Sequence, residues 1–262
     1  MKKLIFVAIV LLLIALSFEN VKLTVQGAGG PVPFAAVSLG NTEKFTDPSG
    51  EVEILKTVFQ NNLKINRLGF KEIAVNLPFS LFYLKYNVAL TPESYSGITE
   101  QLNNMLSGLQ SYEYAYSLKV SSDNKTQTQV ISAKFSRGNF IFSNKSDFTG
   151  ADYSILYKNK NFYLINGSEK TLLEGEEKDN FISKNIIFLS ANDLVSSILP
   201  GEEPQTISYS GNNVIISWEK AKAILTVGKT GMLSNLNFTQ DTDSEHIEVH
   251  FSLNKVNESV EL

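Results

Sequence analysis

The reactive side chains of this sequence are few, and their spacing decides what they could do. Its 262 residues include no cysteine and two histidines, His246 and His250. Four residues apart on a helix, two imidazoles could share a zinc ion. Here Ile247, Val249, Phe251 and Leu253 alternate with polar residues, so the segment reads as a strand. At about 3.3 Å per residue the two rings stand roughly 13 Å apart on its polar face, too far for a common metal. Ser217-Trp218-Glu219-Lys220 followed by Lys229-Thr230-Gly231 has the S-x-x-K and K-T-G form of a serine acyl-transfer site. That chemistry needs its serine at the start of a helix far upstream of the K-T-G strand, whereas Ser217 ends a strand close to it. Asp241, Asp243 and Glu245 lie between strands, and Glu174, Glu176 and Glu177 surround Gly175. Neither set has the spacing of a defined calcium loop. With no nucleophile–base pair and no metal cluster, the chain reads as a non-enzyme with no metal and no cofactor.

The formal net charge is −4, with acidic and basic residues interspersed. A nucleic-acid binder needs a clustered basic face, so that class is excluded. Arginine occurs only at Arg67 and Arg137. Arg137 falls at a turn between aromatic strands, where its planar fork could bond a ligand carbonyl or head group or stand as a surface charge. The absence of cysteine excludes disulfides and a lipid-modified cysteine.

Lys2 and Lys3 precede an unbroken apolar run, Leu4–Leu16, and Ala15-Leu16-Ser17 offers small residues for cleavage before Phe18. This is the pattern of a bacterial-type secretory signal, and the run is shorter than the roughly 20 residues of a spanning helix. Residues 1–17 are therefore expected to be a signal peptide or an uncleaved N-terminal anchor, the sole membrane contact of an exported, periplasmic or cell-surface protein.

Short strands divided by turn chemistry fill residues 18–91. Val21–Val25 alternates apolar and polar residues, as a half-buried strand does. In Thr46-Asp47-Pro48-Ser49-Gly50, Asp47 can bond the backbone two residues on, Pro48 presets φ, and Gly50 closes the turn. Ala35–Leu39, Val52–Leu55, Asn62–Arg67, Glu72–Leu77 and Tyr83–Leu90 complete the strand set of a small β-sandwich. Gly30-Pro31-Val32-Pro33-Phe34-Ala35-Ala36-Val37-Ser38-Leu39, then Thr46–Gly50, then Leu68-Gly69-Phe70, resembles the carboxypeptidase regulatory-like, or transthyretin-like, sandwich. The resemblance implies a non-catalytic accessory or adhesive module.

Residues 92–96 read as a linker, and Ile98, Leu102, Met105, Leu106 and Leu109 mark an amphipathic helix ending near Gly108. Alternating runs follow. Tyr112–Val120 is a strand, Arg137-Gly138 and Asn159-Lys160-Asn161 turn two hairpins, Glu176–Leu199 is more helical with Asn192-Asp193-Leu194 as a capped start, and further strands run from Val214 to Leu253. Helix, hairpins, helical insert and hairpins, in that order, resemble the outer-membrane lipoprotein carrier fold (LolA-like or LppX-like) over residues 97–262. The opening helix with Tyr112–Ser121, the turn Lys229–Leu233 and the ending Ile247–Asn257 carry the resemblance. The Arg-Pro pair that the carrier shows after its early strands is missing, and Arg137-Gly138-Asn139 stands near its place, which points to a relative with another cargo.

The fold class is thus mainly β: a small sandwich followed by an α+β antiparallel half-barrel with helices on its concave face. The resemblance implies a cavity lined by Tyr114, Tyr116, Leu118, Phe135, Arg137, Phe140, Phe142, Ile216, Trp218, Leu225, Phe238, Val249 and Phe251. At about 0.8 kcal/mol per buried CH₂, a dozen methylenes would contribute roughly 10 kcal/mol before ordering costs. The expected function is a non-enzymatic envelope protein that binds an apolar or acylated ligand, with an envelope protein as a further partner. The same side chains read equally as core packed against the helices. The alternative is then an adhesion or scaffold module with filled cores that binds protein or glycan through its loops.

Overall fold

Alternation of apolar and polar residues, broken by turn chemistry, gives an architecture that is mainly β and antiparallel, with one large open sheet. The computed structural model describes residues 18–57, 59–80, 83–123 and 125–258. The expected signal or anchor, Met1–Ser17, lies outside the described residues. No helix among the described residues is long and apolar enough to cross a membrane. The chain divides into two compact units.

The first unit takes in residues up to Ser94 together with Ser208–Asn213 and Val227–Met232. In one four-stranded sheet, β1 (Phe18–Gly27) pairs antiparallel with β2 (Gly30–Pro31) and β5 (Glu51–Thr57), and parallel with β8 (Tyr83–Ala89). The second sheet has the order β4 (Thr42–Phe45), β3 (Ala36–Leu39), β6 (Asn62–Asn66), β7 (Ile73–Asn76). Val21, Leu23 and Val25 of β1 share one hydrophobic core with Ile54, Val37, Leu39, Leu63 and Ile65. The turn at Asp47 has the chemistry its sequence calls for: Asp47 Oδ1 accepts from Ser49 N at 2.9 Å, Ser49 Oγ at 2.6 Å and Glu51 N at 2.9 Å. These bonds hold the Asp47 carboxyl below the usual aspartate range, the Ser49 hydroxyl contributing most. Gly50 closes the turn at φ +75°, and a Cβ there would stand 2.5 Å from the Val25 carbonyl oxygen.

The second unit holds most of an eleven-stranded sheet in the order β14-β13-β12-β11-β10-β9-β19-β18-β17-β16-β15, whose β15–β16 turn residues Ser208–Asn213 count with the first unit. Two antiparallel meanders meet where β9 (Ser111–Ser122) pairs with β19 (His246–Asn254). One meander runs through β10 (Lys125–Ser136), β11 (Asn139–Ser146), β12 (Ala151–Lys158), β13 (Asn161–Asn166) and β14 (Glu169–Leu173). The other runs through β15 (Thr206–Ser210), β16 (Asn213–Ser217), β17 (Ala221–Val227) and β18 (Leu233–Asp241). Three α-helices are described: α1 (Tyr95–Ser107), α2 (Gly175–Asn185) and α3 (Ala191–Ile198), with a 3-10 turn at Ile186–Phe188 between the last two.

The division between the units falls between Ser94 and Tyr95, within residues 92–96; Pro92 bridges to Phe70, Glu93 N donates to Gly69 O at 2.8 Å, and Tyr95 opens α1. Two details differ from the sequence expectation. The expected helical passage Glu176–Leu199 is two helices and a 3-10 turn. The cap of α3 is Ser190 rather than Asn192. Ser190 Oγ accepts from Asp193 N at 3.0 Å and donates to Asp193 Oδ2 at 2.7 Å, so the carboxylate also sits at the positive end of the helix.

One feature of the first unit departs from a purely apolar core. Glu19 and Lys56 face each other across the β1–β5 ladder, and both side chains are completely buried. Lys56 Nζ lies 2.7 Å from Glu19 Oε2 but off the hydrogen-bonding direction, and neither group has another partner among the described residues. Removing one member of a buried pair strands the other charge, whereas replacing both with apolar groups removes the desolvation penalty too. Lys56→Met alone is therefore expected to lower stability by about 3–5 kcal/mol, and Glu19→Leu with Lys56→Met to return it to within about 1 kcal/mol or better. Urea titration followed by far-UV circular dichroism checks this; equal losses in the single and double variants would contradict it.

Candidate functional site

Tyr112, Tyr114 and Tyr116 project from one face of β9 because side chains alternate along a strand. Register carries that face across the sheet: Tyr114 lies opposite Ala133 and Leu253, Tyr116 opposite Ile131 and Phe251, and Phe140 opposite Phe135. The helices pack here through Ile98, Leu102 and Leu106 of α1, Ala191, Leu194 and Val195 of α3, and Phe188 of the 3-10 turn. Rings meet at short range, with Tyr112 stacked on Phe135 at 4.6 Å, Tyr114 near Phe251 at 5.7 Å, and both Tyr116 and Phe142 against Phe188 at 5.7 and 6.1 Å.

Tyrosine hydroxyls fasten the helices to this face. Tyr114 donates to the Phe188 carbonyl, Tyr112 accepts from Ala191 N at 3.3 Å, and Tyr95 of α1 donates to the Pro200 carbonyl beyond α3. Burial pushes the phenols of Tyr95 and Tyr116 up to about 12 and raises Tyr114 further still, because the charged phenolate would lose its hydration.

Of the residues singled out in the sequence, Tyr114, Tyr116, Phe135, Phe140, Phe142 and Phe251 come together in this ring cluster. Leu118, Val249 and Phe238 form an adjoining cross-strand row. Ile216 and Leu225 are buried, and Trp218 meets Tyr95 edge-on at 5.5 Å while Nε1 donates to Glu202 O at 2.9 Å. Arg137 is apart from them. It occupies the exposed β10–β11 turn at φ +47° and lines a polar cavity of about 670 Å³ with Gln110, Ser136, Asn257 and Glu258.

Two features went unrecognised in the sequence. Toward β12 the same face becomes polar yet stays covered: Gln129 Nε2 donates to Asn144 Oδ1 at 3.0 Å, and Tyr153 donates to Asn185 Oδ1 at 2.8 Å. Inward positions on a strand are read from apolar side chains, so amides there leave no hydrophobic signal. The second is a groove of about 260 Å³ between α1 and α3, with Leu102, Val195, Leu199 and Pro200 along it and Thr99 and Glu203 among its polar residues. Periodicity identified apolar helix faces but not which two would leave space between them.

The reactive residues weighed at the outset are engaged elsewhere. His246 Nδ1 lies 2.6 Å from Asp241 and Nε2 3.1 Å from Glu248, and these contacts, Asp241 first, raise its pKa above the ordinary histidine value. Lys220 pairs with Asp243 at 2.7 Å. Among the described residues no group of three or more potential ligands could hold a metal ion.

No family model matches this chain, and no curated protein does. Solved structures similar to it include a LolA superfamily protein from Nitrosomonas europaea, at 10% identity, TM-score 0.28, over 62% of this chain and 93% of that one. LprF from Mycobacterium bovis is similar at 11% identity and TM-score 0.32, over 64% of this chain and 97% of that one. The MucA/MucB complex of Pseudomonas aeruginosa is similar at 12% identity and TM-score 0.28, over 62% of this chain and 58% of that one. These are distant likenesses and identify no family for this chain.

The buried tyrosines generate a pH signature. Raised phenol pKa values mean that above pH about 10 the unfolded chain holds fewer protons than the folded one, so stability falls as pH rises through that range. Of the 10 tyrosines, Tyr95, Tyr114 and Tyr116 are expected to remain largely protonated at pH 11 in the folded protein and to ionise on unfolding. Spectrophotometric titration of tyrosinate absorbance checks this; full ionisation with the fold intact would contradict it.

Proposed function

We propose that the protein is a non-enzymatic, exported envelope protein whose eleven-stranded unit binds an apolar or acylated ligand in the manner of a lipid or lipoprotein carrier. The observation that carries this reading is the groove between α1 and α3, apolar along Leu102, Val195, Leu199 and Pro200 and open beside the helices that cover the aromatic face. Its volume of about 260 Å³ falls just under the usual range for small-molecule pockets, which suits one acyl chain rather than a bulky ligand. Tyr95 of the groove meets Trp218, just past β16, edge-on at 5.5 Å. Tyr114, Tyr116, Phe135, Phe140, Phe142 and Phe251 are the side chains we assign to the deeper part of the ligand site. Arg137 lines the separate polar cavity at the β10–β11 turn and is assigned as a head-group contact there, not as part of the groove. Met1–Ser17 would deliver the chain across the inner membrane and, if retained, tether it there. The first unit is read as a transthyretin-like accessory module.

A second reading has its own observation. The aromatic side chains touch one another and the 3-10 turn, as a filled core does. On that reading the protein is an adhesion or scaffold module that meets a protein or glycan through its loops.

Purification from a bacterial envelope followed by mass spectrometry of organic extracts separates the two. The carrier reading expects a co-purifying lipid, displacement of a fluorescent fatty acid from the protein, and at least tenfold weaker probe binding on Thr99→Trp, whose half-buried position lines the groove. A ligand-free protein that binds no acyl probe would sink it in favour of the filled-core module.

A further inference from the structure

The two ends of the first unit differ sharply in polarity. β1 starts where β5 ends, since Phe18 lies opposite Thr57, and β8 runs parallel to β1 from Tyr83. The β5–β6 and β7–β8 connections reach the same end, where Leu77 N donates to Asn61 O at 2.8 Å. Five large apolar side chains are exposed here: Phe59 at 89%, Phe79 at 67%, Leu55 at 56%, Tyr83 at 45% and Phe18 at 44%. Scattered singly on a surface, such residues need no explanation. Gathered at one end, they form the kind of patch that marks an interaction site.

The loops at this end carry no charge, and the first exposed charges along the strands are Glu53, Lys64 and Lys85. The stretches 57–63 and 74–84 contain no charged residue, and neither does 4–18. Around the aromatics Asn61 and Pro78 are exposed and Gln60 and Ser80 half-buried, all of them uncharged. The charged residues closest in sequence to Phe18 and Thr57 are Glu19 and Lys56, which are buried against each other. At the opposite end Asp47, Lys71 and Glu72 are exposed. The apolar run Leu4–Leu16 joins the unit at Phe18, on the uncharged end.

We propose that this end of the first unit seats on a phospholipid bilayer, its loop aromatics Phe59 and Phe79 entering the headgroup–acyl boundary beside the point where the chain leaves Leu4–Leu16. Aromatic rings partition to that depth, and uncharged amides can hydrogen-bond among headgroups without the cost of burying charge. The run Leu4–Leu16 is shorter than a spanning helix, so a second membrane contact would add to its hold. The aromatic tip is that second contact, and it fixes the orientation of the unit at the membrane as well as its attachment.

The chain has no cysteine, so Phe59→Cys, Phe79→Cys and the control Lys71→Cys can each carry a single nitroxide label. With vesicles of phosphatidylethanolamine and phosphatidylglycerol, labels at 59 and 79 should gain collisions with oxygen and lose collisions with a water-soluble nickel chelate several-fold. The label at 71 should stay water-accessible, and circular dichroism should show all three variants folded. Three results would overturn the proposal. The protein could fail to bind the vesicles. Labels at 59 and 79 on vesicle-bound protein could stay as accessible to nickel as the one at 71. They could also be shielded from both reagents with or without vesicles, showing that Leu4–Leu16 or a second copy covers the tip.

Discussion

The β9–β19 ladder is the constraint from which the second unit follows. It joins Glu113–Ser121 to His246–Asn254, segments more than a hundred residues apart in sequence, and it is where the two meanders become one sheet. Because side chains alternate with a period of two, this register puts Tyr114, Tyr116 and Leu118 on the same face as Leu253, Phe251 and Val249. It leaves Glu113, Ser117 and Lys119 with His250 and Glu248 on the other face, where Lys119 and Glu248 pair at 3.0 Å. A slip of one residue would expose the tyrosines and bury a histidine and a carboxylate. The pairing is also the most non-local in the unit, so its loop-closure cost must be met before either flank can pack fully on the helices.

On that face, polar atoms on aromatic side chains hold the helix layer. α3 is short, and a short helix has little stability of its own. Tyr112 and Tyr114 hold the chain just before and at its start, and Tyr95 holds the chain just beyond its end. Each buried hydroxyl–backbone bond contributes on the order of 1 kcal/mol, and more is lost if one partner is left unsatisfied. Phenylalanine at these three positions would supply the same apolar area without fixing where the helices rest. Tyr112 and Tyr114 fix the start of α3 on the sheet, and Tyr95 ties α1 to the chain beyond the end of α3, with the groove between the two helices.

Much of this was legible from local chemistry. Alternation marked β9, and the Arg137-Gly138 and Asn159-Lys160 turns read correctly because they bring residues of positive φ to the hairpins β10–β11 and β12–β13. Asp47-Pro48-Ser49-Gly50 declared its own bond pattern. Edge strands were harder. Glu169–Leu173 and Thr206–Ser210 have few buried residues, so the hydrophobic pattern that reveals a strand is faint there. The parallel pairing of β1 with β8 depends on chain reversal through the second sheet, which no local pattern encodes. The aromatic face was legible as a face. Whether it leaves room for a ligand was not, because that depends on how closely α1 and α3 approach, which periodicity does not encode.

The buried Glu19–Lys56 pair belongs to the same physical logic in the first unit. A purely apolar pair at those inward positions would pack at least as well, since an ion pair removed from water seldom adds net stability. Its position explains more than its energy does. The strand ends that carry it lead into loops whose described residues are aromatic or amide, and a free charge there would oppose contact with an apolar surface. Turning both charges inward, against each other, leaves the end of the unit without net charge. It also pins the first residues of β1 to the last of β5, so the point where the chain joins Leu4–Leu16 is held in a fixed place on that end. An apolar pair would leave that end uncharged too, so what the ion pair adds is a polar cross-link between the start of β1 and the end of β5, not extra stability.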